Sequence, residues 1–275
     1  MAPIKPIKTI LFGLVLTGLS ACGNDNSTQT LTLTGSSTVA PVALEIAKDY
    51  EQNHPNVEIN VQGGGSSRGI ADARSGVADI GMASRSLTSE EQSDLMAHTI
   101  ARDGVSMIFN ADNPVSSLSN QQIIDIYTDK INNWQAVGGK NASIIVVHKS
   151  AGRATREVFL KFFQLQPQQV VADTIIGENE QGIKTVAGNA KAIAYVSIGA
   201  AQVHQENGTA IKLLPLDGTE ASLEAVIQGK FPLSRSLNLV TKGEPTGLAQ
   251  DFIEFAQSSQ VHDTIQEQHF SPVSQ

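Results

Sequence analysis

The chain has 275 residues, of which 40% are apolar and 17% charged, and its formal net charge is −8. That length and composition suit two modest globular lobes, and the acidity argues against nucleic acid as a partner. The single cysteine, Cys22, excludes an internal disulfide, so stability must come from the packed core.

The first 21 residues read as an export signal rather than as part of the fold. Lys5 and Lys8 make a short basic region, and Thr9 to Leu19 is a mostly apolar run too short to cross a bilayer comfortably. Leu19-Ser20-Ala21-Cys22 has the form of a bacterial lipobox. It predicts cleavage before Cys22, acylation of that residue, and a lipid-anchored protein in the periplasm or on the cell surface. Residues 22–30 would then be a lipidated tether.

A strand is expected at Thr30–Thr34, followed by a helix over Val39–Asn53 with Val42, Ile46 and Tyr50 spaced near four. Val57–Val61 alternates as a second strand, Ile70–Ser75 reads as a short helix, and Asp79–Met82 as a third strand. A βαβαβ order predicts a parallel sheet with helices on its faces. Further strands are expected at Gly104–Asn110, Ile144–His148, Ile193–Ser197 and Leu237–Thr241. Helices are expected at Ser119–Tyr127, Ala154–Phe163 and Thr246–Gln257, the first capped by Ser119 or Asn120. The strand-loop-helix pattern around residues 144–163 echoes that around 31–50, as two similar α/β lobes would require.

Small-residue loops carry the functional signal. Gly35-Ser36-Ser37-Thr38 and Gly63-Gly64-Gly65-Ser66-Ser67-Arg68-Gly69 each follow a strand and open a helix. Gly81-Met82-Ala83-Ser84-Arg85 and Ser150-Ala151-Gly152-Arg153-Ala154-Thr155-Arg156 complete the set. Such loops aim free backbone N–H groups and hydroxyls at one spot, which suits a small oxyanion. Arg85 could grip an anion in bidentate fashion or make a surface ion pair. Three cations fall within Lys149–Arg156, ahead of a helix, where basic charge opposes the macrodipole unless an anion sits there. Asp79 reads as structural, because a carboxylate repels an anion. None of the six histidines has metal spacing, so neither a metal site nor a cofactor is expected.

One competing reading is a serine hydrolase. Gly65-Ser66-Ser67-Arg68-Gly69 is formally G-x-S-x-G on a strand-to-helix turn, with Ser67 as nucleophile. Against it, few strands could precede such an elbow, and no His-Gly-Gly oxyanion segment lies upstream.

In order and spacing the loops resemble the PstS-like phosphate-binding proteins of bacterial ABC transporters. The quoted elements are Thr34–Val39, Gly63–Ser67, Val77–Arg85, Asn113-Pro114-Val115, Asn133-Trp134, Ala192–Ser197 and Phe231-Pro232-Leu233-Ser234-Arg235. The resemblance implies a type II periplasmic-binding-protein fold, in which two α/β lobes joined by hinge strands close over one phosphate. Lobe 1 would comprise 31–108 and 238–275, and lobe 2 would comprise 109–237. It further implies that Thr38 and Ser66 donate hydroxyls, Val39 a backbone N–H, and Thr155 a hydroxyl from the second lobe. With Ser37, Ser67, Arg85 and Arg153 these make the candidate phosphate ligands. The implied partners are inorganic phosphate, a membrane permease and its ATPase; the chain would be a monomer and not an enzyme.

Two departures from the family pattern bear on the ligand. Arg85 stands where an Asp commonly accepts the proton of bound phosphate. In the second lobe Lys149 takes the usual arginine position, with Arg153-Ala154-Thr155 following where Ser-Gly-Thr is usual. An Asp would penalise sulfate, which has no proton to donate, and an arginine would not. Sulfate, arsenate or a phosphonate therefore stand as alternative ligands, and a sensory or adhesive lipoprotein as an alternative role.

Overall fold

The computed structural model describes Ala2 and residues 28–273. The export signal, Cys22 and most of the expected tether lie outside the described residues. The first half-lobe runs β1 (Gln29–Gly35), α1 (Val39–Asn53), β2 (Val57–Gly63), α2 (Ser66–Ser75) and β3 (Ile80–Ala83). β1 pairs in parallel with both β2 and β3, as the βαβαβ order predicts. α1 buries Val42, Ala43, Ile46, Ala47 and Tyr50 along one stripe, at the spacing that keeps a helical face on a core. α2 starts four residues earlier than expected, because Gly65 takes φ of 104° and turns the chain straight into the helix at Ser66.

Gly69 is what allows α2 to lie flat on the sheet. A Cβ there would sit 2.4 Å from the Thr34 carbonyl oxygen and 2.7 Å from the Gly35 Cα. Only glycine permits that approach. The loops after β1 and β2 are thereby locked side by side.

β4 (Leu95–Asn110) is a 16-residue strand, much longer than the expected Gly104–Asn110. The register shifts between Thr99 and Ala101, and this bulge hides the period-two pattern of the first half. The second lobe then contains α3 (Asn120–Tyr127), β5 (Ile145–Lys149), α4 (Ala154–Phe162), β6 (Thr174–Ile176) and α5 (Asn179–Ala187). β7 (Ala192–Ser197), α6 (Ile198–Glu206), β8 (Ile211–Leu213) and α7 (Leu223–Ile227) follow. The chain returns through β9 (Ser234–Lys242) to α8 (Gly247–Ala256), α9 (His262–Glu267) and β10 (Ser271–Pro272). α3 opens with the expected cap: Ser119 Oγ accepts from the Gln122 N–H, and Gln122 reaches back to the Ser119 N–H.

The strand order is β2-β1-β3-β9-β4-β7-β5-β6, with β8 and β10 also pairing with β4. β4 pairs with β9 from Leu95 to Gly104, and with β7 from Val105 to Phe109. The partner strand changes at Gly104/Val105, and so does the core. Ile100 and Ala101 pack with Leu33, Ile46, Ile80, Leu237 and Phe252. Val105, Met107 and Phe109 pack with Tyr127, Trp134, Phe159 and Tyr195. The two cores thus meet on β4 near Gly104, and β9 enters the first core at Leu237. Among the described residues no helix is long and apolar enough to cross a membrane.

Candidate functional site

Four elements converge where the lobes meet: the N-termini of α1, α2 and α4, and the end of β5. They surround a small, tight pocket lined by Ser36, Ser37, Thr38, Gly65, Ser66, Ser84, Lys149, Arg153, Ala154, Thr155 and Gly177. Neither α2 nor α4 carries a side-chain cap at its N-terminus. The positive dipole ends of both helices lie at this space.

Arg235 organises the hydroxyls. It stands on β9 directly opposite Asp103 on β4, at the crossing between lobes. Its Nε and Nη2 donate to Asp103 Oδ2 at 3.1 and 2.8 Å. Its remaining donors reach Thr38 Oγ1 (3.1 Å), Ser84 Oγ (3.3 Å) and Thr155 Oγ1 (2.8 Å). Both side chains of the ion pair are almost fully buried, at 2% and 1% exposure.

This arrangement fixes the polarity of the site. Thr38 Oγ1 also accepts from Asn179 Nδ2 at 3.1 Å, so both its lone pairs are occupied and its proton is left for a ligand. Thr155 and Ser84 each accept from Arg235, and Ser66 Oγ accepts from the Ser84 N–H at 3.1 Å. Each of these hydroxyls is left to donate. The result is a cluster of donors from both lobes around one small space, with no carboxylate among the described residues that line it.

Two cations line the same space. Arg153 is tethered by Glu178 at 2.6 Å, and its stem packs against Gly65 of the other lobe. Lys149 is 2% exposed, and its ammonium has no hydrogen-bond or ion-pair partner among the described residues. Burial pushes it down to about 7, with Arg235 and Arg153 adding to the effect and Glu178 opposing it. Its backbone N–H donates to the Tyr195 hydroxyl at 3.3 Å, and that hydroxyl also meets His148 Nδ1 at 2.8 Å. Arg156 Nε donates to His148 Nε2 at 3.1 Å, so the ring is neutral with its proton on Nδ1. Burial first, and Arg156 second, lower the His148 ring to about 4.

Of the candidate ligands, Ser37, Thr38, Ser66, Arg153 and Thr155 line the cavity. The Val39 N–H is turned to Ser36 Oγ at 3.3 Å, a long contact that the Thr38 N–H shares at 3.2 Å. Ser67 and Arg85 do not reach the space. The Ser67 hydroxyl donates to Glu157 Oε1 at 3.3 Å and its N–H to the Gly152 carbonyl at 3.2 Å, both across the lobe junction. Arg85 is gripped by Glu91 at 2.7 and 2.9 Å and reaches Glu157 of the other lobe at 2.6 Å. The Glu91 hydrogen bonds raise its pKa further, so it stays charged, and its Nη1 also donates to the Ser86 carbonyl at 3.0 Å. It lines a separate cleft of about 1130 Å³ with Lys161 and Phe162. Asp79 accepts from the Thr32 N–H at 2.8 Å, a structural contact away from the cavity. A larger cleft of about 670 Å³ opens beside the site, but Glu178 and Glu180 in its lining make it unsuited to an anion.

Sequence reasoning missed Arg235, Asp103 and Asn179. Arg235 was visible as the end of the Phe231–Arg235 motif, but nothing local ties it to Asp103, 132 residues away.

Comparison with known proteins agrees with this geometry. The PBP superfamily domain matches residues 22–260. The phosphate-binding protein PstS of Bacillus subtilis (strain 168) is 29% identical over 260 residues, covering 93% of this chain and 84% of that protein. A crystal structure from Clostridium perfringens, assigned as a phosphate ABC transporter substrate-binding protein and solved with bound phosphate, superposes with a TM-score of 0.83. It is 33% identical and covers 90% of this chain and 100% of its own. An ABC-type phosphate transport receptor from Vibrio cholerae superposes with a TM-score of 0.72 at 30% identity, covering 88% of this chain and 100% of that one. The two-lobed fold, the paired hinge strands and these relatives together make the chain a member of the PBP superfamily, in its PstS-like branch.

Proposed function

We propose that this protein captures inorganic phosphate between its two lobes, outside the cytoplasmic membrane, and hands it to an ABC permease driven by an ATPase. The observation that carries the reading is the polarity of the cavity. Arg235 and its neighbours fill both acceptor sites of Thr38 and one each on Ser84, Thr155 and Ser66, so that the protons of four hydroxyls from both lobes are left to donate. Arg153 and Lys149 supply positive charge in the same space. The Val39 N–H, held only at 3.3 Å by Ser36, is a further donor for the ligand.

The working step in this reading is closure. Ligand contacts made from both lobes at once favour the closed state over the open one, and that difference drives the population shift. No covalent chemistry is needed, and the Ser67 hydroxyl is engaged by Glu157 rather than by a histidine base. The change of strand partner on β4 at Gly104/Val105 supports a lobe boundary close to the expected residue 108. Cleavage before Cys22 and its acylation would hold a monomeric protein at a membrane surface.

A second ligand is favoured by one feature. The absence of a carboxylate from the cavity lining removes the penalty on sulfate. Calorimetry on the chain from Gly23, first stripped of anion, tests both readings with phosphate alone and then with phosphate in excess sulfate. Tight phosphate binding that sulfate leaves intact supports phosphate capture. Equal competition by sulfate assigns a broader oxyanion site, and no phosphate binding overturns the reading.

A further inference from the structure

Of Arg235, Arg153 and Lys149, Lys149 alone has no counter-charge among the described residues. Arg235 is neutralised by Asp103 and Arg153 by Glu178. Lys149 is buried to 2% exposure at the end of β5, lines the cavity, and has no partner for its Nζ among the described residues.

The charged and titratable groups around it come from every packed element. β9 presents Arg235, the start of α4 Arg153 and Arg156, and the residue before α5 Glu178. β7 presents Tyr195, and His148 is its neighbour on β5. Lobe 1 faces the cavity only with Ser36, Ser37, Thr38, Gly65, Ser66 and Ser84. Two guanidinium groups repel a charge on Lys149, and the nearby carboxylate, Glu178, which partly offsets them, makes its ion pair with Arg153 through Oε1 and none with Lys149. An unpaired buried ammonium relieves its desolvation by shedding its proton. An incoming anion supplies the counter-charge that the empty site lacks.

We propose that Lys149 is a proton-accepting ligand residue, neutral in the empty cavity and protonated when the anion enters, so that the site captures an oxyanion together with one proton from solvent. The amine lone pair takes that proton to become an ammonium, which then donates to an anion oxygen. The inference rests on the anion-capture reading above. It goes beyond that reading in assigning a second, coupled ligand. Linkage requires that apparent affinity fall about tenfold per pH unit across the range where the empty site is neutral and the filled site protonated.

The test is calorimetry of phosphate binding at about pH 8.5 in two buffers of different ionisation heat. Wild type is compared with Lys149→Arg, which is always charged, and with Lys149→Met, which never is. Free phosphate is almost wholly the dianion at that pH, so proton uptake is read against one form of the free ligand; Lys149→Arg keeps a cation beside the anion, as the protonated wild type does, and is the nearer reference. Wild type is expected to take up about one proton more than either variant. Equal uptake in wild type and a binding-competent variant overturns the proposal while leaving phosphate capture intact; no binding by wild type overturns both. A second readout needs no variant to bind. In lysine-labelled wild type, the ¹⁵Nζ resonance that Lys149→Met removes should move from an amine to an ammonium value on phosphate saturation. An unchanged resonance overturns the proposal.

Discussion

Replacing Arg235 by Met should both destabilise the fold and empty the site. The change removes two hydrogen bonds to Asp103 and three to Thr38, Ser84 and Thr155. Asp103 would remain buried as a carboxylate, with only the Gly199 N–H at 3.3 Å to satisfy it. Truncating one partner of a buried ion pair costs about 3–5 kcal/mol, because the survivor is left uncompensated. Asp103→Leu should cost a similar amount for the same reason. Replacing both together substitutes an apolar pair for an ionic one, which is often close to neutral; about 2 kcal/mol is expected, given the three hydroxyls that also lose their donor. Urea unfolding of the four proteins in phosphate-free buffer gives the cycle. Additive losses, or a cost below about 1 kcal/mol for Arg235→Met, would refute the argument that this pair is a coupled, desolvated unit. The double variant then separates structure from function: it should fold, yet bind phosphate at least a hundredfold more weakly, because nothing orients the donor hydroxyls.

Further outcomes follow from other contacts. Arg153→Ala should weaken phosphate binding well over tenfold by calorimetry, and an unchanged affinity would remove this residue from the site. Arg85→Ala should cost less than tenfold and leave the phosphate-to-sulfate ratio unchanged, since its partners are Glu91 and Glu157; a changed ratio in competition calorimetry would place Arg85 at the ligand after all. Gly69→Ala, a substitution that normally favours a helix, should instead destabilise by about 3 kcal/mol in urea, because its Cβ would lie 2.4 Å from the Thr34 carbonyl oxygen. His148 should make the protein acid-labile. Its ring stays neutral in the fold down to about 4, so the unfolded chain gains its proton first as pH falls below about 6.5. Stability is then lost between about pH 6.5 and 4, by up to ~2 kcal/mol once solvent screening of the partly accessible ring is discounted. His148→Gln should flatten that part of the pH-stability profile, and an unchanged slope would exclude the ring as its source.

Local signals in the sequence located most of the first lobe. Alternation at Leu31 and Leu33, the Val42–Ile46–Tyr50 spacing and the glycine-serine loops all operate over a few residues, and each element lies close to where those signals put it. The long strand through both lobes was half hidden, because the bulge at Thr99/Ala101 breaks its alternation. Asn179 was not legible at all: its amide meets Thr38 across 141 positions, at the start of a helix without a strong sequence signature. The partner of Arg85 was left open between an anion and a carboxylate because the turn from Thr88 to Glu91, which folds a carboxylate back onto it, resembles an ordinary exposed segment in sequence. Charge at a loop told that a cation was there; only the fold tells which charge it meets.

The position of β9 constrains the order in which the molecule can assemble. It lies between β3 and β4 in the sheet, yet it is made after the whole second lobe. A ribosome that has released everything up to residue 233 has therefore supplied both neighbours of a missing central strand, with their hydrogen-bonding edges and the Leu237 and Leu239 positions of the core unfilled. The second lobe can collapse early on contacts of its own, whereas the first must wait for a strand more than 120 residues downstream of its neighbours. Such non-local closure is slow and leaves open edges exposed in the interval. The same late arrival brings Arg235, so the anion site cannot be organised before the central strand of the first lobe is in place.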